Sequence, residues 1–78
     1  MKSTKKFSIS TSSFNTSKLE DCKKINLITS ICNYYDYEYH VKVNDKIGTA
    51  IIFIDCCSDD DVKKLIGILL SFDIIVFT

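Results

Sequence analysis

The chain has 78 residues, as many lysines as acidic residues, one histidine, and no arginine, proline or tryptophan. Its length allows one domain, which at this size buries roughly 60% of the surface that the unfolded chain exposes. The 46% apolar and 26% charged composition excludes a disordered chain, zero net charge excludes a whole-molecule field towards nucleic acid or an anionic membrane, and the missing arginine removes the bidentate fork that grips phosphate, carboxylate and guanine edges.

The charge is nevertheless uneven. Residues 1–24 hold six lysines against Glu20 and Asp21, a local +4, whereas residues 46–78 hold Lys46, Lys63 and Lys64 against Asp55, Asp59, Asp60, Asp61 and Asp73, a local −2. Residues 1–6 are basic but residues 7–13 are rich in hydroxyls, which does not make the apolar core of a signal peptide. The longest apolar runs are about six residues, far short of the roughly twenty that span a bilayer. Cys22, Cys32, Cys56 and Cys57 form no C-x-x-C pair, and a bridge between the adjacent Cys56 and Cys57 would be strained. Reduced thiols and a cytoplasmic setting are therefore expected. The lysine-only basic set, with abundant Ile, Asn, Asp, Phe and Tyr, also fits an AT-rich genome, and a lone small domain is a format common among phage and mobile-element proteins.

Phe7 and Ile9 alternate with serines and predict a first strand, followed by a polar loop over residues 11–16. Ser17, Lys18, Leu19 and Glu20 fit a capping box that opens a helix. Ile25, Ile28, Ile31, Cys32 and Tyr35 fall within about 120° on that helix, a core stripe of ordinary width, with Leu27 off it. Tyr37, Tyr39, Val41 and Val43 alternate with Glu38, His40 and Lys42, the clearest half-buried strand of the chain. Asn44 and Asp45 then suit a two-residue turn, because both tolerate positive φ. Residues 47–54 are apolar almost throughout, as in a central strand. Ser58 and the following aspartates start a second helix, with carboxylates where the dipole favours them. Its inner face is Val62, Leu65, Ile66 and Leu69, and residues 74–77 form a short last strand. The order βαββαβ predicts an α+β, ferredoxin-like two-layer sandwich: one antiparallel sheet with both helices on one face.

That fold serves many functions, so particular residues must decide between them. Soft-metal chaperones of this shape need a cysteine pair in the first strand-to-helix loop, which residues 11–16 lack. Acylphosphatase-type sites need an arginine. Modules of the ACT type, which bind small ligands such as amino acids, commonly expose amides through loop glycines, and this chain has only Gly48 and Gly67. The stretch from Lys46 to Phe53 faintly resembles the third-strand signature of RNA-recognition domains, Lys/Arg-Gly-aromatic-Gly/Ala-aromatic-Val-x-aromatic. Aligning Gly48 and Ala50 to its small positions puts Thr49 and Ile51 where the stacking rings belong, which disfavours direct nucleic-acid binding.

His40 has no evident nucleophile or orienting partner. Cys56 and Cys57, next to a helix start, are the one place where amides would favour a thiolate, although three aspartates oppose it. No metal-ligand spacing appears, and neither metal nor cofactor is expected. Asp59, Asp60 and Asp61, with Asp55 upstream, read first as a helix cap and dipole complement, and second as a surface for a basic partner. The third strand carries Ile47, Ile51 and Phe53 on one face and Ala50, Ile52 and Ile54 on the other, so an apolar stripe is left where no helix covers the sheet. Turn parity sets Ile51 and Phe53 beside Glu38, His40 and Lys42, with Tyr37 and Tyr39 turned towards the helices. The expectation is a non-enzymatic protein that binds a protein partner through these residues and has no membrane role. Its most concrete form is a small phage- or mobile-element-encoded inhibitor of a nucleic-acid-guided host defence complex, of the anti-CRISPR kind, with a homodimer as a further expectation. The alternatives are an ACT-like regulatory module and an RNA binder related to RNA-recognition domains.

Overall fold

The computed structural model, which describes residues 7–77, sets the long apolar run of the chain at the centre of an antiparallel sheet. Lys2, Lys5 and Lys6, part of the basic N-terminal excess, lie outside the described residues. In chain order the elements are β1 (Phe7–Thr11), β2 (Phe14–Asn15), α1 (Leu19–Tyr34), β3 (Glu38–Asn44), β4 (Thr49–Cys56), α2 (Asp59–Leu70) and β5 (Val76–Phe77). The result is a small α+β domain, with five strands and two helices among the described residues. Strand β4 pairs with β3 along one edge and with both β1 and β2 along the other, and β5 lies outside β1. Among the described residues no helix is long and apolar enough to cross a membrane.

Alternation in β4 divides the sheet. Ala50, Ile52, Ile54 and Cys56 are buried, and Ile52 and Ile54 pack in one core with Ile9 and Phe14 from the strands and Ile28, Cys32, Val62, Leu65 and Leu69 from the two helices. Ile25 and Ile31 pack against that core as the helical stripe predicts, but so does Leu27, which the stripe leaves out, and Tyr35, which the stripe includes, is exposed at the helix end. Thr49, Ile51, Phe53 and Asp55, on the other face, are only half-buried.

Residues 11–16, predicted as loop, contain β2. Phe14 is 5% exposed, and burying a phenylalanine is worth about 2–3 kcal/mol, enough to draw a short segment back onto the edge of β4. Between the pairs Ser10–Phe53 and Phe14–Ala50, three residues on this side face two on β4. The Ile52 amide, left without a strand partner there, donates to the buried Thr11 hydroxyl at 3.1 Å.

The predicted capping box at Ser17 does not form. Helix α1 begins one residue later, with Lys18 as its N-cap and no side-chain cap. Asn15 Oδ1 instead accepts from the Ser17 amide at 2.9 Å, and Asp21 Oδ2 accepts from the Asn15 amide at 2.6 Å. The start of α2 follows expectation: Ser58 is the N-cap and its hydroxyl accepts from the Asp61 amide at 3.2 Å.

The β3–β4 turn is four residues long, not two, because positive φ is taken by Gly48 (65°), not by Asn44 or Asp45. Asn44 Oδ1 accepts from the Lys46 amide at 3.1 Å, and Ile47 leaves the strand to stand 69% exposed in the turn. Strand β4 accordingly runs to Cys56. Both loop lengths are even, so Ile51 and Phe53 keep the face that parity gives them.

Both helices end in one way. Asp36 and Asp73 each take φ of 61°, and the next residue reaches back: the Tyr37 amide donates to Cys32 O at 2.8 Å, and the Ile74 amide to Leu69 O at 3.0 Å. This six-to-one closure usually carries glycine at the left-handed position. It pulls Ile74 into the core at 2% exposure, so the last strand is only Val76–Phe77, shorter than the predicted residues 74–77.

Two outcomes are expected in urea denaturation. Ser58→Ala removes a working cap and should cost about 1 kcal/mol, whereas Ser17→Ala should leave stability almost unchanged. Asp73→Gly relieves the left-handed penalty on a residue with a Cβ and should raise stability by about 1 kcal/mol; a loss would show that the aspartate side chain holds the turn.

Candidate functional site

Opposite residues of an antiparallel ladder project to the same side. On the face away from the core, the register therefore assembles rows across strands. Glu38, Asp55 and Ser8 make one row, His40, Phe53, Ser10 and Phe77 the next, and Lys42 with Ile51 a third. The Ser8 hydroxyl donates to Asp55 Oδ1 at 2.8 Å. His40 stacks on Phe53 with ring centres 5.2 Å apart and planes at 22°. Phe77, at the far side of the same row, is 56% exposed. Small Ser10 stands between the half-buried Phe53 and the exposed Phe77.

A second set of residues gathers where β4 ends, β3 begins and α2 starts. Asp36, Tyr37, Glu38, Asp55, Cys56 and Cys57 line a shallow depression of about 80 Å³. The aspartates of α2 adjoin it, and most of them have a local partner. Asp59 pairs with Lys63 at 3.3 Å, an exposed i,i+4 contact of small worth. Asp61 Oδ1 accepts from the Tyr37 hydroxyl at 3.4 Å. Asp60 is exposed and makes no hydrogen bond or ion pair among the described residues. Beside them Lys64 Nζ sits 4.5 Å from the centre of the Tyr35 ring, which stacks on Tyr37 at 6.0 Å.

Burial, reinforced by the Asp61 charge, raises the Tyr37 hydroxyl above its usual range. The same two causes, with smaller contributions from Cys57 and Asp55, raise the Cys56 thiol. Cys32 is pushed from 9.0 to about 11 by burial and by neighbouring Cys56. Cys56 is thus held as a thiol despite its place before a helix start, because desolvation and carboxylates outweigh the helix amides. All four cysteines are free, with Cys57 exposed and Cys32 and Cys56 buried. Among the described residues no three His, Cys, Asp or Glu side chains converge as metal ligands.

The residues singled out from the sequence fall into separate places. Glu38, His40, Ile51, Phe53 and Asp55 share the open face. Asp59, Asp60 and Asp61 lie around the corner on α2. Tyr37 and Tyr39 pack against the core from the helix side. Sequence reasoning missed Phe77 and Ser10, whose meeting with Phe53 depends on β1–β5 register, and Asp36, which enters the acidic end through its turn. The chain matches no protein-family profile, no curated protein and no solved structure.

Two measurements follow from the thiols. In the native protein Ellman's reagent should modify Cys57 readily, and Cys32 and Cys56 only on unfolding. Because the folded state holds the Cys32 proton up to about 11 against 9.0 in the free thiol, the unfolded state ionises first. Stability is then full below pH 9.0 and falls as pH rises towards 11. A melting temperature unchanged across that window would contradict the assignment.

Proposed function

We propose that this is a non-enzymatic binding protein that covers a surface of another macromolecule with its open sheet face and the adjoining acidic end. The observation that carries the proposal is the row His40, Phe53 and Phe77, spread over β3, β4 and β5 on the side of the sheet outside the core. Ile51 extends it towards Lys42. Rings with one accessible face are what buried interface centres are made of. Glu38, Asp55 and Asp60 edge this area with negative charge, which suits a partner rich in lysine or arginine. The concrete form we favour is an inhibitor from a phage or mobile element, acting on a nucleic-acid-guided defence complex of the kind that anti-CRISPR proteins block. Its carboxylates would stand where that complex expects phosphates, in a cytoplasmic setting.

The finer architecture is part of the same proposal. Counting β1 and β2 as one strand interrupted by the extra residue within residues 11–13, we read the sheet as β3–β4–β1/β2–β5. That is the ferredoxin-like order, with both helices on one face. Support comes from β1 and β2 sharing one edge of β4 and from one core joining the buried residues of both helices.

A second reading has one specific observation in its favour. Phe53 lies in the middle of the open face with His40 stacked on it, and such a pair can serve as a platform for unpaired bases. Glu38 and Asp55, on the same face, oppose a phosphate backbone, so this reading stays second.

The test is capture of partners from a bacterial lysate enriched in nucleic-acid-guided complexes, followed by inhibition of the captured complex. Ile51→Ser with Phe53→Thr should reduce capture at least tenfold, and Asp60→Lys should do so with little change in melting temperature. If all three substitutions leave capture and inhibition intact, the proposal fails. Salt-sensitive binding of an oligouridine by the wild type, lost in Phe53→Thr, would transfer the site to the RNA reading.

A further inference from the structure

We infer that the free edge of β3 is a self-complementary dimerisation strand, and that its occupant is β3 of a second copy, paired antiparallel about His40. Among the described residues β3 pairs only with β4, so its other edge presents backbone donors and acceptors to solvent over seven residues. All of them except Tyr39 are exposed. An edge of this length is a template for another strand unless something blocks it. There is no proline or bulge in β3; its charges are Glu38 and Lys42, two residues either side of His40.

Those charges select the partner. With His40 opposite His40 of the copy, Glu38 of each chain faces Lys42 of the other, twice over. On the other side of the sheet Tyr39 faces Val41 in both directions, covering a valine that is 36% exposed. Lys42 stands opposite Ile51 and makes no ion pair among the described residues. Moving the axis to Val41 would face Lys42 with His40 and Glu38 with Asn44, and would lose both charge pairs. This inference does not rest on the open face binding a partner, because the edge and the face are different surfaces.

The experiment is sedimentation velocity with charge reversal. Wild type should be a dimer at high micromolar concentration. Glu38→Lys, which sets lysine against Lys42, and Lys42→Glu, which sets glutamate against Glu38, should each raise the dissociation constant at least tenfold. Mixing those two variants should restore a dimer, since each chain then meets its opposite, and the double reversal in one chain should restore it too. Circular dichroism confirms that each variant is folded. Register is read by oxidation in a Cys22→Ser, Cys57→Ser background. His40→Cys should form an intermolecular disulfide, because directly opposite residues lie about 4.5–5.5 Å apart, within the reach of the bond; Val41→Cys should not. A wild type that stays monomeric, a mixture that fails to reassociate, or cross-linking through Val41→Cys in place of His40→Cys would overturn the inference.

Discussion

Strand β4 is hydrogen-bonded along both edges, and every other element takes its position from that strand. One side of it, from Ala50 to Cys56, is almost completely excluded from solvent, and both helices close over that side. The two edges behave differently. Strand β3 follows β4 without interruption from Glu38 to Asn44. The partner on the other edge breaks, and the Thr11 hydroxyl bridges the break by accepting from the Ile52 amide. A buried amide without a partner would cost about 1–3 kcal/mol. Among the described residues Thr11 is also the one polar residue that is buried, which is explained by that bond. The domain therefore accommodates one extra residue beside its central strand without leaving the strand unsatisfied.

The same local accounting bears on how much of the acidic end is free for function. Asp61 receives a hydroxyl proton from Tyr37, Asp59 pairs with Lys63, and Asp55 receives one from Ser8. Asp36 sits in a left-handed turn, a position that aspartate tolerates better than most residues. Dipole complementation at the first turn of α2 accounts further for Asp59, Asp60 and Asp61. After these local duties, Asp60 is the carboxylate of the cluster whose place local structure explains least. The negative field of this end is real, but it is largely a by-product of two chain turns and one helix start. Binding there would add electrostatic steering to an interface whose area comes from the rings of the open face.

Long periodic patterns were legible from residues alone. The helical stripe through Ile28 and Cys32, the cap at Ser58 and the strand that follows Tyr37 all depend on spacing within one element, although only Tyr37 and Tyr39 of its alternating residues are half-buried and Val41 and Val43 stand exposed at the sheet edge. Parity of the β3–β4 turn also survived an error in its length, since a four-residue loop preserves the faces that a two-residue loop would give. What failed depends on contacts that the spacing within one element does not reveal. Phe14 looks like a lone aromatic in a polar stretch until the edge of β4 offers it a pocket. Ser17 has the sequence of a cap, but Asn15 and Asp21 tie the chain differently and move the start of α1. Asp36 and Asp73 resemble ordinary polar turn residues; their left-handed role follows only from where each helix stops. For the site, the sharing of a face by His40, Lys42, Ile51 and Phe53 was legible from alternation, whereas the row to Phe77 required the β1–β5 register.

The apolar residues outside the core bear most directly on function. Ile51 and Phe53 are half-buried between neighbouring strands, and His40 stacks on Phe53. At about 25 cal/mol per Å², the area they still expose contributes nothing to folding; covering it would add stability only on association. A polar β-former such as threonine could hold the same backbone, so the fold itself does not require isoleucine and phenylalanine at these positions. The β3 edge poses the complementary question. Its backbone groups are exposed for the same reason, that the sheet ends there, and its charges would match a copy of themselves. A dimer joined at that edge would align two open faces side by side and double the row of rings without covering any of it. Edge and face are thus compatible uses of one sheet: the first would set how many copies are present, and the second would set how much contact area they offer together.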